Sequence, residues 1–471
     1  MSPKFDENKV FLRTWGEITN RLDPNYYKKV YMDLEEAVAK LTKYKLRDFI
    51  QFMASGVTPK ITEYDKYYSD STNGVPFLRV QNLSPEGLNW SDCKYINKET
   101  HNQLLKRSQV FEGDLLIKIT GVGRMAVTSI APEEFEGNIN QHMVVVKTKR
   151  PELNEQIAAF LNSDIGEMLA THRSTGGTRP ALDYSALRSI PIILNDSIYD
   201  IMNQAYEKKK MIEKQAQSLS DSINDYLLSE LEVVVQPEED NGLKKRIFYI
   251  KSDKVFGNRL DTYYYQEKYK EYERSIVSGK YPTSRLGSYI INISYGASVN
   301  NCYKENGIPL LRIKNIRPNE IDSQDVVYLS DEMEKELQHS RVNTGDILIT
   351  RSGTIGICSV VDKSQDNFAF GSFMIKFSLV NIMPQYVSYV INSYIGKKYF
   401  ERNKIGAIQG NITIPTIKSL RIPVPPIEVQ SKIVHEIEKI RLDVKRLEQH
   451  AKDIVTCAKE QVEKKLLGDN L

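Results

Sequence analysis

Basic, amide and hydroxyl side chains gather beside glycines in four short segments of this 471-residue chain. The first is Lys118-Ile-Thr120-Gly121 with Arg124 close behind, and the second is His172-Arg173-Ser-Thr175-Gly-Gly-Thr-Arg179. The third is Thr350-Arg351-Ser352-Gly353, and the fourth is Lys404-Ile-Gly-Ala-Ile-Gln409-Gly-Asn411. Arginine, lysine, glutamine and asparagine donate to phosphate oxygens or pair with base edges, and glycines let the backbone come close. Such chemistry grips a nucleic acid without changing it. The candidate contacts are therefore Lys118, Thr120, Arg124, Arg173, Thr175, Arg179, Thr350, Arg351, Ser352, Lys404, Gln409 and Asn411. Taken singly each cluster also reads as an ordinary polar loop. Their recurrence at equivalent places in two halves of the chain strengthens the binding reading.

Residues that would break or make bonds are missing. No GxxxxGK[ST] segment is present to cradle the phosphates of ATP. The single Pro-Pro pair, Pro425-Pro426, follows Val424, where an amino-methyltransferase needs Asn or Asp to hold its target amine. Gly121-Val-Gly123 and Gly176-Gly177 lack the strand-to-helix setting of a nucleotide-binding turn. The six histidines form no HExxH and no metal cluster, and His142, in a strand-like run, reads as a packed residue. Acidic pairs such as Glu35-Glu36 and Glu133-Glu134 read as solvated faces, and no strand-borne carboxylates converge as a nuclease metal site requires. Four scattered cysteines (Cys93, Cys302, Cys358, Cys457) suit neither a disulfide framework nor zinc. The sequence thus predicts no catalytic residue, no metal and no cofactor on this chain.

The elements that must position the clusters are written twice. Asn20-Arg-Leu-Asp23 with Tyr26 and Tyr27 returns as Asn258-Arg-Leu-Asp261 with Tyr263, Tyr264 and Tyr265. GVPFLRVQNL from Gly74 returns as GIPLLRIKNI from Gly307, and GDLLIK from Gly113 as GDILIT from Gly345. Leu187-Arg-Ser-Ile-Pro191 returns as Leu420-Arg-Ile-Pro423. One order at a near-constant offset implies two copies of one whole domain. The arginines of the LR[VI] motif, Arg79 and Arg312, admit either a structural or a contact role.

Each half reads as short Val-, Ile- and Leu-rich strands broken by Gly, Asn and Pro, then one long helix. Met202, Ala205, Ile212, Ala216, Leu219, Ile223 and Tyr226 follow three- and four-residue steps, with Lys209 interrupting, and Asp196-Ser197 offers the N-cap. The second run is Ile433, Ile437, Ile440, Val444, Leu447, Ala451, Ile454 and Ala458, entered through Pro425-Pro426. Ile201, Ala205, Ile212 and Leu219 sit 232 residues before Ile433, Ile437, Val444 and Ala451. Apolar heptads flanked by charge predict an antiparallel coiled coil, seamed by Ala205, Ile212, Leu219, Ile223, Ile437, Ile440, Val444, Leu447 and Ile454.

A chain of this length exceeds one hydrophobic core. With 41% apolar and 27% charged residues it reads as soluble and globular, and a net charge of +3 neither demands nor excludes a nucleic-acid partner. No apolar run reaches membrane-spanning length, and MSPKFDENKV lacks a signal-peptide layout, so a cytoplasmic location is expected.

Two mixed domains, each ending in a coiled-coil helix and carrying G[VI]P[FL]LR[VI], GD[LI]LI and LRSIPI or LRIPVPPIEVQSKIV, resemble the specificity (S) subunit of type I restriction–modification enzymes. The resemblance covers nearly the whole chain. It implies a mixed α/β (α+β) fold of two strand-rich target recognition domains, each followed by a long spacer helix, the helices pairing antiparallel. The implied division is 1–195 for the first recognition domain, 196–235 for its helix, 236–257 for a linker, 258–425 for the second recognition domain and 426–471 for the last helix. It further implies a non-catalytic subunit that reads an asymmetric bipartite site in double-stranded DNA. Two methyltransferase subunits would dock on the helices, and restriction/translocase subunits would join them. S-adenosylmethionine, and ATP with magnesium, would belong to those partners. Two alternatives remain: a specificity chain of another restriction class with a fused methyltransferase–nuclease partner, and a two-lobed scaffold that never meets DNA.

Overall fold

The GD[LI]LI repeat starts a strand in each half, and its first two residues explain where. Gly113 and Gly345 take φ of +78° and +91°, a region that a Cβ disfavours. The aspartate that follows closes the turn, Asp114 Oδ2 accepting from the Phe111 amide at 2.9 Å and Asp346 Oδ2 from the Asn343 amide at 2.8 Å. The turn then releases the strand Leu115–Lys118 or Ile347–Thr350. The computed structural model describes residues 11–16, 18, 21–235, 249–255, 259–299, 303–406 and 410–468. Most of the expected linker 236–257 lies outside them, as do Asn20, Asn258 and Cys302.

Contacts gather the chain into two compact units, 1–214 with 447–471, and 215–446. The first unit holds an antiparallel four-stranded sheet in the order Ile50–Ser55, Met143–Thr148, Leu115–Lys118, Thr128–Ile130. The second repeats it as Ile290–Tyr295, Met374–Leu379, Ile347–Thr350, Cys358–Val360, with the register shift at the same place in the edge strand. A second sheet in each unit pairs Val75–Leu78 with Glu136–Ile139, or Ile308–Leu311 with Ala369–Phe370, in parallel. All four residues of Leu115–Lys118 and of Ile347–Thr350 are buried. Alternate side chains feed two cores, Leu115 and Ile117 one and Leu116 the other, then Ile347 and Ile349 one and Leu348 the other. Burial on both faces is why these segments read as unbroken apolar runs.

The other repeated motifs are clasps. In LR[VI]xN, Asn82 Oδ1 accepts from the Arg79 amide at 2.9 Å, and Arg79 Nη2 donates to the carbonyl and carboxylate of Asp92. Asn315 and Arg312 repeat this, with Arg312 Nη2 on the Asp325 carbonyl at 2.9 Å. Both arginines are structural. In the NRLD motif Arg21 reaches the carbonyls of His172, Arg173 and Ser174, while Arg259 reaches those of Arg402 and Lys404. Each guanidinium thus meets the carbonyl-rich end of a helix, Asp164–Arg173 or Tyr394–Asn403, where a cation is favoured. Tyr27 and Tyr265 fix the clasp by donating to the Arg21 and Arg259 carbonyls at 2.6 and 2.7 Å.

The long helices run Asp196–Glu230 and Ile427–Leu467, so each contributes to both units. Asn195, one residue earlier than expected, caps the first by accepting from the Ser197 amide at 3.0 Å. In the first unit Ile198, Met202 and Ala205 share the domain core with Ala458, Val462 and Leu466, and Ile454 packs beside them. In the second, Leu227 and Leu228 share a core with Ile433 and Ile437, and Ile223 packs against it. The start of one helix therefore meets the end of the other, antiparallel, within each unit. Ile212, Leu219, Ile440, Val444 and Leu447 are half-buried. Ala205 and Ile437, expected in the seam between the helices, belong to domain cores as well. Lys209 does not break the seam. It turns to the first domain and pairs with Glu86, as Arg441, 232 residues later, donates to the Asn319 carbonyl at 2.7 Å.

Candidate nucleic-acid interface

In each unit the chain leaves the central buried strand into a glycine-containing loop, and a second loop from the helix behind comes to lie along it. In the first unit Ile119 accepts from Leu182 at 2.8 Å, the Gly121 amide donates to Pro180 at 3.1 Å, and Thr120 bridges Ala181. Thr175 and Ala181 exchange hydrogen bonds of 2.9 and 2.8 Å, closing residues 176–180 into a tight loop. In the second unit Arg351 accepts from Ile412 at 2.9 Å, Ser352 bridges Asn411, and Ile405 and Asn411 exchange bonds of 2.9 and 2.8 Å. The four clusters singled out in the sequence are thus joined as two pairs, one double loop per unit. Gln409 lies outside the described residues.

The side chains divide by task. Lys118 is 6% exposed and spends its ammonium on the Val122 carbonyl at 2.8 Å; burial pushes its pKa down. Thr350 is buried, its Oγ1 accepting from the Ile357 amide at 3.0 Å, and Ser352 is buried too. Arg124 pairs with Asp164 and Glu167, both at 2.8 Å, and donates to the Ser163 carbonyl at 2.5 Å. Arg173 grips Glu35 with two nitrogens and adds the Ser189 hydroxyl and the Leu169 carbonyl. These four side chains and Ser352 build the loops, because their polar groups are used or enclosed inside the unit.

Outward chemistry rests on fewer residues. Thr175 and Arg179 are exposed in the first unit, with Thr120 half-buried beneath them. Arg179 Nη2 faces His142 Nε2 at 3.3 Å, and burial, then the Arg179 charge, lowers the histidine's pKa. In the second unit Lys404 is exposed, its ammonium 5.8 Å from the Tyr263 ring centre. Arg351 is half-buried, its guanidinium 4.7 Å above the Tyr295 ring, and Asn411 is half-buried beside it. His142, read from the sequence as a packed residue in a strand-like run, lies in the turn ahead of its strand, half-buried against the loop pair. Its counterpart 231 residues later is Phe373, and each carbonyl accepts from the loop start, His142 from Ile119 at 3.0 Å and Phe373 from Arg351 at 2.9 Å. Sequence reasoning misses Phe373 and Tyr295. The signal available for Phe373 is a ring just before the apolar strand Met374–Leu379, and Tyr295 is the last residue of the strand Ile290–Tyr295.

Among the described residues no group of acidic, histidine and cysteine side chains could hold a metal, and no helix is long and apolar enough to cross a membrane. Fold and site define a class of tandem-domain proteins, in which one α/β framework carries a loop pair of different side chains in each copy. Residues 290–455 match the family described as type I restriction modification DNA specificity domain. A type I restriction enzyme specificity subunit, MjaVIII, of Methanocaldococcus jannaschii is 23% identical over 437 residues, covering 89% of this chain and 88% of that protein. The EcoEI specificity subunit of Escherichia coli is 31% identical over 104 residues, 21% of this chain and 18% of the relative. The EcoKI subunit is 28% identical over 141 residues, 28% and 30% of the two. The matches to these two E. coli relatives thus span under a third of their lengths. A solved chain titled for the complex assembly of the type I R-M system overlays with TM-score 0.45 at 14% identity, over 90% of this chain and 97% of that one. Residues 290–455 thus match a type I restriction modification DNA specificity domain, and over most of its length the chain is similar to a type I specificity subunit.

Proposed function

We propose that the chain is a non-catalytic, cytoplasmic DNA-specificity subunit that recognises an asymmetric bipartite site in duplex DNA. One observation carries this reading. Three backbone pairings of each loop pair match at the same repeat positions in the two units, yet the outward side chains differ. A shared frame with unlike tips suits two half-sites of unlike sequence. Phosphate contact would come from Lys404 and the loop amides, and base-edge contact from Arg179 and the ring-bearing turns. The long helices would receive two methyltransferase subunits, which bring S-adenosylmethionine, and restriction subunits would add ATP and magnesium. The relatives that match are named as type I restriction enzyme subunits, which favours this system over a fused methyltransferase–nuclease partner.

The test is domain exchange read by methylome mapping. Replacing 21–191 with the same region of a relative should change one half of the methylated site and keep the other. A change in both halves, or none, would overturn the reading. A scaffold that never meets DNA predicts no salt-sensitive binding to duplex DNA, whereas phosphate contacts make affinity fall steeply as salt rises.

A further inference from the structure

The slot shared by His142 and Phe373 extends the proposed DNA recognition to a single base feature, and the inference rests on that recognition. In the second unit the turn Gly371-Ser372-Phe373 is pinned by its backbone on three sides. The Gly371 amide donates to Leu311 at 3.0 Å, the Ser372 amide to Ala297 at 2.8 Å, and the Phe373 carbonyl accepts from Arg351 at 2.9 Å. Arg351 in turn lies over Tyr295, whose hydroxyl accepts from the Ile414 amide at 3.4 Å. On this fixed base Phe373 is 54% exposed, Ile405 55% and Tyr295 39%. A single exposed apolar side chain is ordinary. An exposed phenylalanine on so firmly pinned a turn is not explained by packing, because it closes no core.

The first unit offers the opposite chemistry at the same slot. There His142 meets Arg179, and an accepting Nε2 toward the guanidinium leaves Nδ1 to carry the proton. Arginine and histidine address hydrogen-bonding base edges. Phenylalanine can address only an apolar feature, and in the major groove the apolar feature of a base pair is the C5-methyl of thymine. We propose that Phe373 reads a thymine methyl group in the half-site of the second unit, while the Arg179–His142 pair reads a polar base edge in the other.

Deoxyuridine, which lacks only that methyl, supplies the test. The complex isolated from the host is titrated with duplexes carrying its mapped site, each thymine in turn replaced by deoxyuridine. The wild-type complex should lose about fourfold in affinity at one thymine of the half-site read by 259–425, the worth of one buried methyl group. Phe373→Ala should bind both duplexes equally, and Phe373→Leu should keep the preference. His142→Ala should leave it intact. The Phe373 side chain is exposed, so its variants leave the core alone. Indifference to every thymine in a site-specific wild-type complex overturns this inference alone, as does a preference that survives in Phe373→Ala. Unchanged DNA binding with loss of a protein subunit from Phe373→Ala assigns the ring to a protein contact and overturns it too. A wild-type complex with no site preference at all overturns the recognition reading beneath it.

Discussion

Replacing Glu35 with glutamine tests whether the first unit is held by the ion cluster at the end of the helix Asp164–Arg173. The Glu35 carboxylate is 25% exposed, accepts from two nitrogens of Arg173, and faces His172 Nδ1 at 2.9 Å. Burial acts to raise its pKa, but hydrogen bonds and charge from His172 and Arg173 outweigh this and hold it at about 2, against an ordinary 4.5. The sign follows from proton counts. Between these two values the unfolded chain binds a proton that the native state does not, so stability is present above about 4.5 and drains away as pH falls toward about 2. That span corresponds to at most about 3 kcal/mol, and residual solvent access reduces it to about 2. Both tryptophans, Trp15 and Trp90, lie in the first unit, and Trp90 sits 5.9 Å from the Phe135 ring, so fluorescence in urea reports that unit. With a urea dependence of about 2 kcal/mol per molar, Glu35→Gln should lower the midpoint by roughly 1 M at pH 7. Near pH 2 little of the gap to wild type should remain. A midpoint unchanged at pH 7, or a gap as wide near pH 2, would refute the assignment.

The same geometry sets three further outcomes. Arg179→Ala should weaken binding to the mapped duplex by about 1–3 kcal/mol and relax one base position; an equal loss on all sequences with a shallower salt slope would make it a phosphate contact instead. Arg312→Ala should lower thermal stability by about 1–3 kcal/mol, since it opens the clasp to the Asp325 carbonyl, and should leave site preference unchanged. A double-mutant cycle on Lys209 and Glu86, whose side chains are 21% and 31% exposed, should return a coupling of about 1 kcal/mol in urea melts. Zero coupling would mean that Lys209 does not fasten the helix to the first domain.

Much of the framework is local in origin and is legible in the chain itself. The GD turns need a glycine at positive φ and an aspartate to cap it, and both are written plainly. The apolar runs after them have the composition of strands buried on both faces, and the long helices announce themselves by period. The duplication needs no structure at all. What local pattern cannot reveal is the fate of each charged side chain. Arg124, Arg173 and Arg179 look alike as sequence, yet the first two close on Asp164 and Glu35, 40 and 138 residues away, and only the third is exposed. Lys209 looks like a flaw in a heptad because its partner Glu86 is 123 residues off.

The sequence by itself determined that there are two copies of one strand-rich domain and two long helices, because periodicity, turn chemistry and motif spacing act over a few residues. Only the tertiary structure decided which residues of the long helices join the domain cores, and that the four polar clusters close into two loop pairs. It also decided that His142 and Phe373 occupy equivalent turns in the two units, each carbonyl accepting from the start of the neighbouring loop. Those outcomes depend on which surfaces meet when distant segments pack, and a side chain's neighbours in space are set by that packing rather than by its neighbours along the chain.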